Sequence, residues 1–348
     1  MKIQLSLAKR LRKSEIMEEN EGKLVAGLAQ LAPVWLDKKA TLEKIVQAIH
    51  QAGKKGIELL VFGEGFVPGY PLWTGLTDAT VFDSPMQKEL FAHYAANAVD
   101  IESGDLDAVC SLLKKYGMAS YLGVIERPSD RGGHSLYASL VYIDSKGKVR
   151  SVHRKLRPTY DERLTWSPGD GHGLRVHSLK QFTVGGLNCW ENWMPLVRSS
   201  LYAQGENLHI AVWPGSDHNT RDITRFMARE SRSFVVSVSS LMRKEDFPET
   251  TPYLAEILEN APDVLTNGGS CVAGPDGEWI LEPQVGLEEI YTVELNFKRV
   301  LEERQNFDPN GHYSRPDVTR LIVNRERQSV IRFEELGEDE NAAKTKNL

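Results

Sequence analysis

Two hydrophobic periods trade places along this chain, and that alternation limits the fold more than any single residue does. From about Lys23 to about Val323, strand-like runs and helix-like segments succeed one another without a low-complexity linker. No internal repeat of roughly 20–50 residues interrupts them. Leu24 to Leu31 reads as a strand. Leu42, Ile45, Val46 and Ile49 then mark one face of a helix ended by Lys54, Lys55 and Gly56, and Ile57 to Phe62 returns as a buried strand. The unit recurs where Leu106, Val109, Cys110 and Leu113 line a helix closed by Gly117, followed by a strand at Ala119 to Ile125; this assigns Cys110 to the core. Strand-turn-strand patterns occupy 140–152 and 270–281, the second holding Cys271. A helix near Met194 to Gln204, a strand at His209 to Trp213, a helix around Thr220 to Ser231 and a strand at Phe234 to Ser239 complete the series. Such alternation predicts stacked α and β layers in one domain over 23–323. Residues 244–267, with Pro248, Pro252 and Pro262, read as a surface excursion, and 324–348 as a tail whose end, 337–348, has a disordered composition.

Charge and composition remove several function classes. Lys plus Arg number 42 against 48 Asp plus Glu, a net charge of -6, so nothing draws the chain to a phosphate backbone or an anionic membrane. No nucleic-acid partner is expected. Apolar runs such as Leu59 to Phe62 and Ile210 to Trp213 stop far short of the roughly 18–20 residues of a membrane helix. Residues 1–22 carry Lys2, Lys9, Arg10, Arg12 and Lys13 without a secretory apolar stretch and read as a flexible or oligomer-contacting arm. Cys110, Cys189 and Cys271 are odd in number, widely spaced and free of any CxxC pattern, which fits a reducing cytoplasm and neither a disulfide framework nor a zinc knuckle. The nine histidines show no HxxxH or HExxH spacing, and GxGxxG, GxxxxGKS and GxSxG loops are missing, so metal, nucleotide and serine-hydrolase readings lack support.

Three polar residues follow strand-like runs, where open α/β sheets present functional groups. Glu64 leaves the ELLVF run between Gly63 and Gly65 and reads either as an acid aimed by a tight turn or as a solvated loop acid. Lys155 closes VRSVHRK before LRPTYDER; alone, such a lysine is equally a surface residue. Cys189 lies where FTVGGLNCWENWMPL passes from a strand through Gly185 and Gly186 into a helix start. There, backbone N–H groups stabilise a thiolate and the glycines admit a substrate to the backbone; a buried structural cysteine is the alternative.

Taken together, Glu64, Lys155 after His-Arg, and Cys189 followed by Trp-Glu-Asn resemble the Glu-Lys-Cys triad of the carbon-nitrogen hydrolase, or nitrilase, superfamily. HRKLRPTYDERLTWSPGDG at 153–171, CWENWMPLVRSSLYAQG at 189–205 and DPNGHYSRPDV at 308–318 are similar to plant-type nitrilases and their bacterial relatives. The resemblance spans roughly residues 23 to 323 and implies an α/β fold built as a four-layer α-β-β-α sandwich, with self-association into dimers and spiral oligomers and no metal or organic cofactor. It implies hydrolysis of an organic nitrile by two waters to the acid and ammonia, with Glu64 as base, Lys155 stabilising charge and Cys189 as nucleophile. Glu162 matches an additional glutamate of the family, which orients Lys155 or water; pairing with Arg163 or Arg157 at the surface is the plain alternative. Trp190, Tyr160 and Trp166 are pocket candidates, with core packing as their other reading. Gly63 departs from the family's usual proline there and is expected to loosen the turn that aims Glu64. An aliphatic amidase or N-carbamoyl hydrolase shares the triad, and a noncatalytic filament or binding protein could keep the fold without it.

Overall fold

The computed structural model describes residues 22–331, so the basic arm, apart from Gly22, and the stretch 337–348 lie outside the described residues. The first sheet is built from β1 (Lys23–Gln30), β2 (Leu59–Phe62), β3 (Ala119–Glu126), β4 (Tyr137–Ile143), β5 (Val149–Arg154) and β13 (Glu289–Asn296), in the order β13-β1-β2-β3-β4-β5. The second contains β6 (His177–Leu179), β7 (Phe182–Asn188), β8 (Leu208–Trp213), β9 (Phe234–Ser239), β10 (Leu241–Arg243) and β11 (Val264–Ala273), in the order β10-β11-β9-β8-β7-β6, with β12 (Trp279–Val285) paired to β11. β1, β2 and β3 run parallel to one another, as do β7, β8 and β9.

The two sheets face each other across one core. Period-two alternation sends Leu59 and Val61 of β2, with Tyr121 of β3 and Leu140 of β4, inward against Val184 of β7, Ile210 and Val212 of β8 and Val236 of β9. The opposite faces of the same strands carry Leu60, Phe62, Leu122 and Val124 outward, where Ile45, Ile49 and Ala52 of α1 (Lys38–Lys54) and Val109 and Leu113 of a helix at Asp107–Tyr116 cover them. On the second sheet, Ala211, Trp213, Val235 and Ala273 meet Ile223, Met227 and Ala228 of a helix at Asp217–Ser231, and Leu187 meets Val197 and Leu201 of one at Pro195–Tyr202. The result is the α-β-β-α sandwich, because strands this apolar on both faces need a helix layer outside and a second sheet inside.

Three readings need correction. Residues 244–267 are not a surface excursion: they hold a 3₁₀ turn and a helix (Lys244–Asp246, Leu254–Asn260) and supply Phe247 and Ile257 to a third core cluster with Trp35 and Trp73. Apolar residues spaced between prolines and acids hid that packing; Phe247 lies edge-on to Trp35 at 4.6 Å. Cys110 is only partly buried, packed at the rim of the cluster under the first sheet's helices rather than within it. The run 324–328 lies on the body of the domain: Arg327 Nη1 pairs with Asp170 Oδ1 at 3.0 Å, and the Gln328 N–H donates to Asp170 Oδ2 at 3.0 Å.

One close approach positions everything that follows. On β3, a Cβ built on Gly123 would lie 2.1 Å from Gly63 O, 2.8 Å from Gly65 N and 2.9 Å from Glu64 Cα. The turn after β2 therefore rests directly on the bare backbone of β3. Gly123→Ala is expected to cost about 1–3 kcal/mol as an overpacked core substitution; urea unfolding measures it, and an unchanged unfolding free energy would show that the turn does not depend on that contact.

Candidate active site

Each of the polar residues singled out in the sequence leaves the carboxyl end of a strand. Glu64 follows β2, Lys155 follows β5 and Cys189 follows β7, with the end of β8 between them, where the Glu64 N–H donates to Trp213 O at 3.1 Å. All three are buried, at 1%, 1% and 3% exposure, which disposes of the solvated-loop and surface readings of Glu64 and Lys155. Glu162 joins them from the short 3₁₀ turn Tyr160–Leu164, also at 1% exposure, and pairs with neither Arg163 nor Arg157. One carboxylate oxygen each from Glu64 and Glu162 and the Cys189 sulfur all lie within 4.8 Å of one another.

Lys155 sits among them. Its Nζ donates to Glu162 Oε2 at 2.7 Å and lies 2.8 Å from Glu64 Oε1, an ion pair too bent to count as a hydrogen bond, so neither Glu64 oxygen has a hydrogen-bond partner. Glu162 is held on every side: the Tyr70 hydroxyl donates to its Oε1 at 2.8 Å and the Thr159 N–H to its Oε2 at 2.6 Å. These three atoms are spaced as metal ligands are, but the Lys155 ammonium already pairs with both carboxyl groups and supplies the cation of the cluster.

Burial and charge then set the protonation states. Desolvation pushes Glu64 up to about 8 from an ordinary 4.5, with Glu162 and Glu191 adding to the rise and Lys155 opposing it. Burial likewise raises Cys189 well above the usual thiol range, again against Lys155. For Lys155, burial pulls down, but Cys189, Glu64 and Glu162 together outweigh it and hold the ammonium charged. Glu64 and Cys189 thus compete for one cation, and their titration belongs to the pair.

Cys189 itself takes φ 48°, an uncommon conformation for a residue with a side chain. It begins a short 3₁₀ turn, Cys189–Trp193, rather than the helix at Pro195–Tyr202, so it does not sit at a long helix terminus. Glu191 braces the turn by accepting from Asn188 N (3.0 Å) and Leu156 N (2.8 Å) and by contacting His153 Nε2 at 3.1 Å, which ties the ends of β5 and β7 together. His153 and these hydrogen bonds hold the Glu191 carboxyl below its ordinary range despite burial.

Among the aromatic candidates, Trp166 is brought to the site, buried with Lys155 Nζ 5.5 Å from its ring centroid and Tyr70 edge-on at 5.4 Å. Tyr160, at 83% exposure, and Trp190, at 54%, point largely to solvent and do not enclose the cluster. Tyr70 was missed; its signal was the apolar GEGFVPGYP run that continues from Glu64. One expectation about glycine also changes. Gly185 and Gly186 lie inside β7, where Gly185 makes room for Glu206 (2.2 Å from an added Cβ) and Gly186 for Leu140 and Tyr121 of the facing sheet, so neither opens the backbone to a ligand. Gly63 is closely packed, since an added Cβ would lie 2.3 Å from Ser240 Oγ and 3.0 Å from Trp213 O, so a side chain there needs its neighbours to shift.

The sequence profile of the family described as carbon-nitrogen hydrolase matches residues 25–305. Among known proteins, the chain is 36% identical over 316 residues to Nitrilase 2 from an unknown prokaryotic organism, covering 89% of this chain and 96% of that one. It is 33% identical to the aliphatic nitrilase of Sinorhizobium fredii (89% and 98% covered) and 32% identical to the bifunctional nitrilase/nitrile hydratase NIT4B of Nicotiana tabacum (88% and 88%). Among solved structures, the carbon-nitrogen hydrolase of Helicobacter pylori G27 superposes with a TM-score of 0.64 at 20% identity, over 85% of this chain and 97% of that one. An amidase from Nesterenkonia sp. shares the fold at TM-score 0.60 and 18% identity, over 82% and 95%.

The raised Glu64 carries a stability consequence. The native state keeps a proton that the unfolded chain gives up near the ordinary 4.5, so native stability falls as pH climbs from about 4.5 to about 8. Glu64→Gln has no such proton to lose. Its stability relative to the parent is expected to rise across that window, by on the order of 1–5 kcal/mol; urea unfolding at stepped pH reads it, and parallel curves would contradict the raised carboxyl. With the buried cluster and the matches over nearly all of the described residues in hand, this chain belongs to the carbon-nitrogen hydrolase family and groups with its nitrilases.

Proposed function

We propose that the protein hydrolyses an organic nitrile to the carboxylic acid and ammonia, with Cys189 as nucleophile. The observation that carries this reading is the convergence of Cys189, Glu64, Glu162 and the Lys155 ammonium in one buried cluster, in a chain similar along its length to proteins named nitrilases.

In the first step the Cys189 sulfur bonds to the nitrile carbon, Glu64 takes the thiol proton and passes it to the nitrogen, and a thioimidate results. Negative charge growing on that nitrogen is met by Lys155, whose ammonium is fixed in place before the reaction by Glu162. Water then adds to the same carbon with Glu64 as base, the carbon–nitrogen bond breaks, and ammonia leaves a thioester. A second water cleaves the thioester, returning the sulfur and releasing the acid. Glu162 serves by holding Lys155 through its fixed bonds to Tyr70 and Thr159. Beside Glu64 and Tyr70 the apolar cleft lined by Trp35, Leu72 and Met242 has a volume of only about 10 Å³, so the substrate's organic group enters there only if these side chains shift.

An amidase or N-carbamoyl hydrolase would enter the same cycle at the tetrahedral stage; the identity to nitrile-named relatives favours the nitrile. Self-association fits the exposed apolar side chains of Trp193, Met194, Leu196 and Phe226 on the helical layer outside the second sheet. No helix among the described residues is long and apolar enough to cross a membrane, and a reducing cytoplasm suits a Cys189 thiol.

The decisive assay is ammonia release from aliphatic, aromatic and arylacetic nitriles and their matched amides. Ammonia and acid from nitriles are expected, abolished in a folded Cys189→Ala protein and reduced at least roughly a hundredfold in Lys155→Ala. Turnover of amides alone moves the protein to the amidase reading, and full turnover by Cys189→Ala overturns the mechanism.

A further inference from the structure

We infer that Asn192, His209 and Glu206 form a buried positioning relay that aims the peptide group between Cys189 and Trp190, and with it the Cys189 sulfur. The inference rests on the reading of Cys189 as nucleophile. None of the three touches the reacting atoms, so all act as positioning residues.

The relay starts at the strained point. Cys189 takes φ 48°, and its carbonyl oxygen accepts from Asn192 Nδ2 at 2.8 Å. That carbonyl belongs to the peptide group joining Cys189 to Trp190, on the backbone that carries the sulfur. A planar peptide transmits a grip on its oxygen to the direction of its N–H. Asn192 therefore fixes the peptide plane from which the nucleophile's side chain is aimed.

Asn192 is itself fixed. Its Nδ2 also reaches Leu187 O at 3.4 Å, and its own carbonyl accepts from Arg198 Nη1 at 2.7 Å. Because both Nδ2 contacts are to carbonyl oxygens, the amide cannot be flipped, and Oδ1 faces His209 Nε2 at 2.8 Å. Nε2 must carry a proton to donate there. The other ring nitrogen, Nδ1, meets Glu206 Oε1 at 3.0 Å, and Glu206 Oε2 has no partner. Asn192, His209 and Glu206 are exposed by 0%, 1% and 0%. The sequence makes room for this: an added Cβ on Gly185 would lie 2.2 Å from Glu206 Oε1, so the glycine on β7 admits the carboxyl that ends the chain of contacts.

Donor arithmetic predicts which replacements the relay tolerates. With Glu206→Gln, the new amide N–H donates to Nδ1 of a neutral imidazole while Nε2–H still faces Asn192, and the chain stays complete. Glu206→Leu leaves Nδ1 unpartnered in a dry interior. Asn192→Asp keeps the shape but turns a carboxylate oxygen toward Cys189 O.

The test compares the parent with Asn192→Asp, Glu206→Gln and Glu206→Leu, each first checked for a folded state by thermal melting. Two readouts are taken: kcat and KM on a nitrile, and the rate of Cys189 alkylation by iodoacetamide. Asn192→Asp and Glu206→Leu are expected to lower kcat by about 10- to 100-fold with KM within about threefold, and to slow alkylation in parallel. Glu206→Gln is expected to stay within about threefold of the parent in both. A folded Asn192→Asp protein with parental kcat and alkylation rate overturns the relay, as does Glu206→Gln being as damaging as Glu206→Leu. Should Asn192→Asp not fold, the Glu206 pair decides alone. A parent that releases no ammonia from any nitrile or amide defeats the nitrilase reading instead, while the alkylation ranking still tests the relay.

Discussion

A lysine ammonium buried to 1% exposure must be surrounded by counter-charge, and much of the molecule's chemistry follows from how that need is met around Lys155. Glu64 arrives from the end of β2, Glu162 from the turn after β5 and Cys189 from the end of β7. Lys155 is fixed at its own backbone by bonds to Ala138 O and from Gly169 N, each 2.7 Å, so the partners must come to it. Two carboxyls and a thiol share one cation. Glu162 accepts from two further donors, whereas Glu64 has none and is pushed up to about 8, chiefly by burial. Burial thus leaves Glu64 ready to exchange protons.

That cluster forms only because backbones are allowed to touch. The turn carrying Glu64 is pressed between Gly123 of the first sheet and Trp213 and Ser240 at the ends of second-sheet strands. Side chains on either glycine would force the two sheets' ends apart at the point where acid, cation and thiol must meet. The glycine at 63, where the family usually has proline, is thereby closely packed by its neighbours.

The layered fold and the principal site residues were legible in the sequence because both are written in local patterns. Period-two runs flanked by helical faces named the strands, and strand ends followed by polar residues named Glu64, Lys155 and Cys189. What stayed hidden depends on contacts between distant segments. Tyr70 bonds Glu162 across 92 positions, and Phe247 packs on Trp35 across more than half the chain; no local period encodes either. Gly185 and Gly186 looked like an opening for substrate because their neighbours in space, Glu206, Leu140 and Tyr121, cannot be read from their neighbours in sequence. Tyr160 and Trp190 were named for residue type, but type does not tell which way a short turn aims its side chains.

The turn Cys189–Trp193 shows what does. A 3₁₀ helix has three residues per turn, so residues three apart stack on one face. Cys189 and Asn192 share the inner face, at 3% and 0% exposure, while Trp190 and Trp193 share the outer one, at 54% and 46%. Five residues thus form a thin wall with the nucleophile on one side and two indoles on the other. The wall is a single turn braced by Glu191 and Asn192, so the nucleophile's backbone is held by hydrogen bonds on its buried side while the indoles stand free of them on the other.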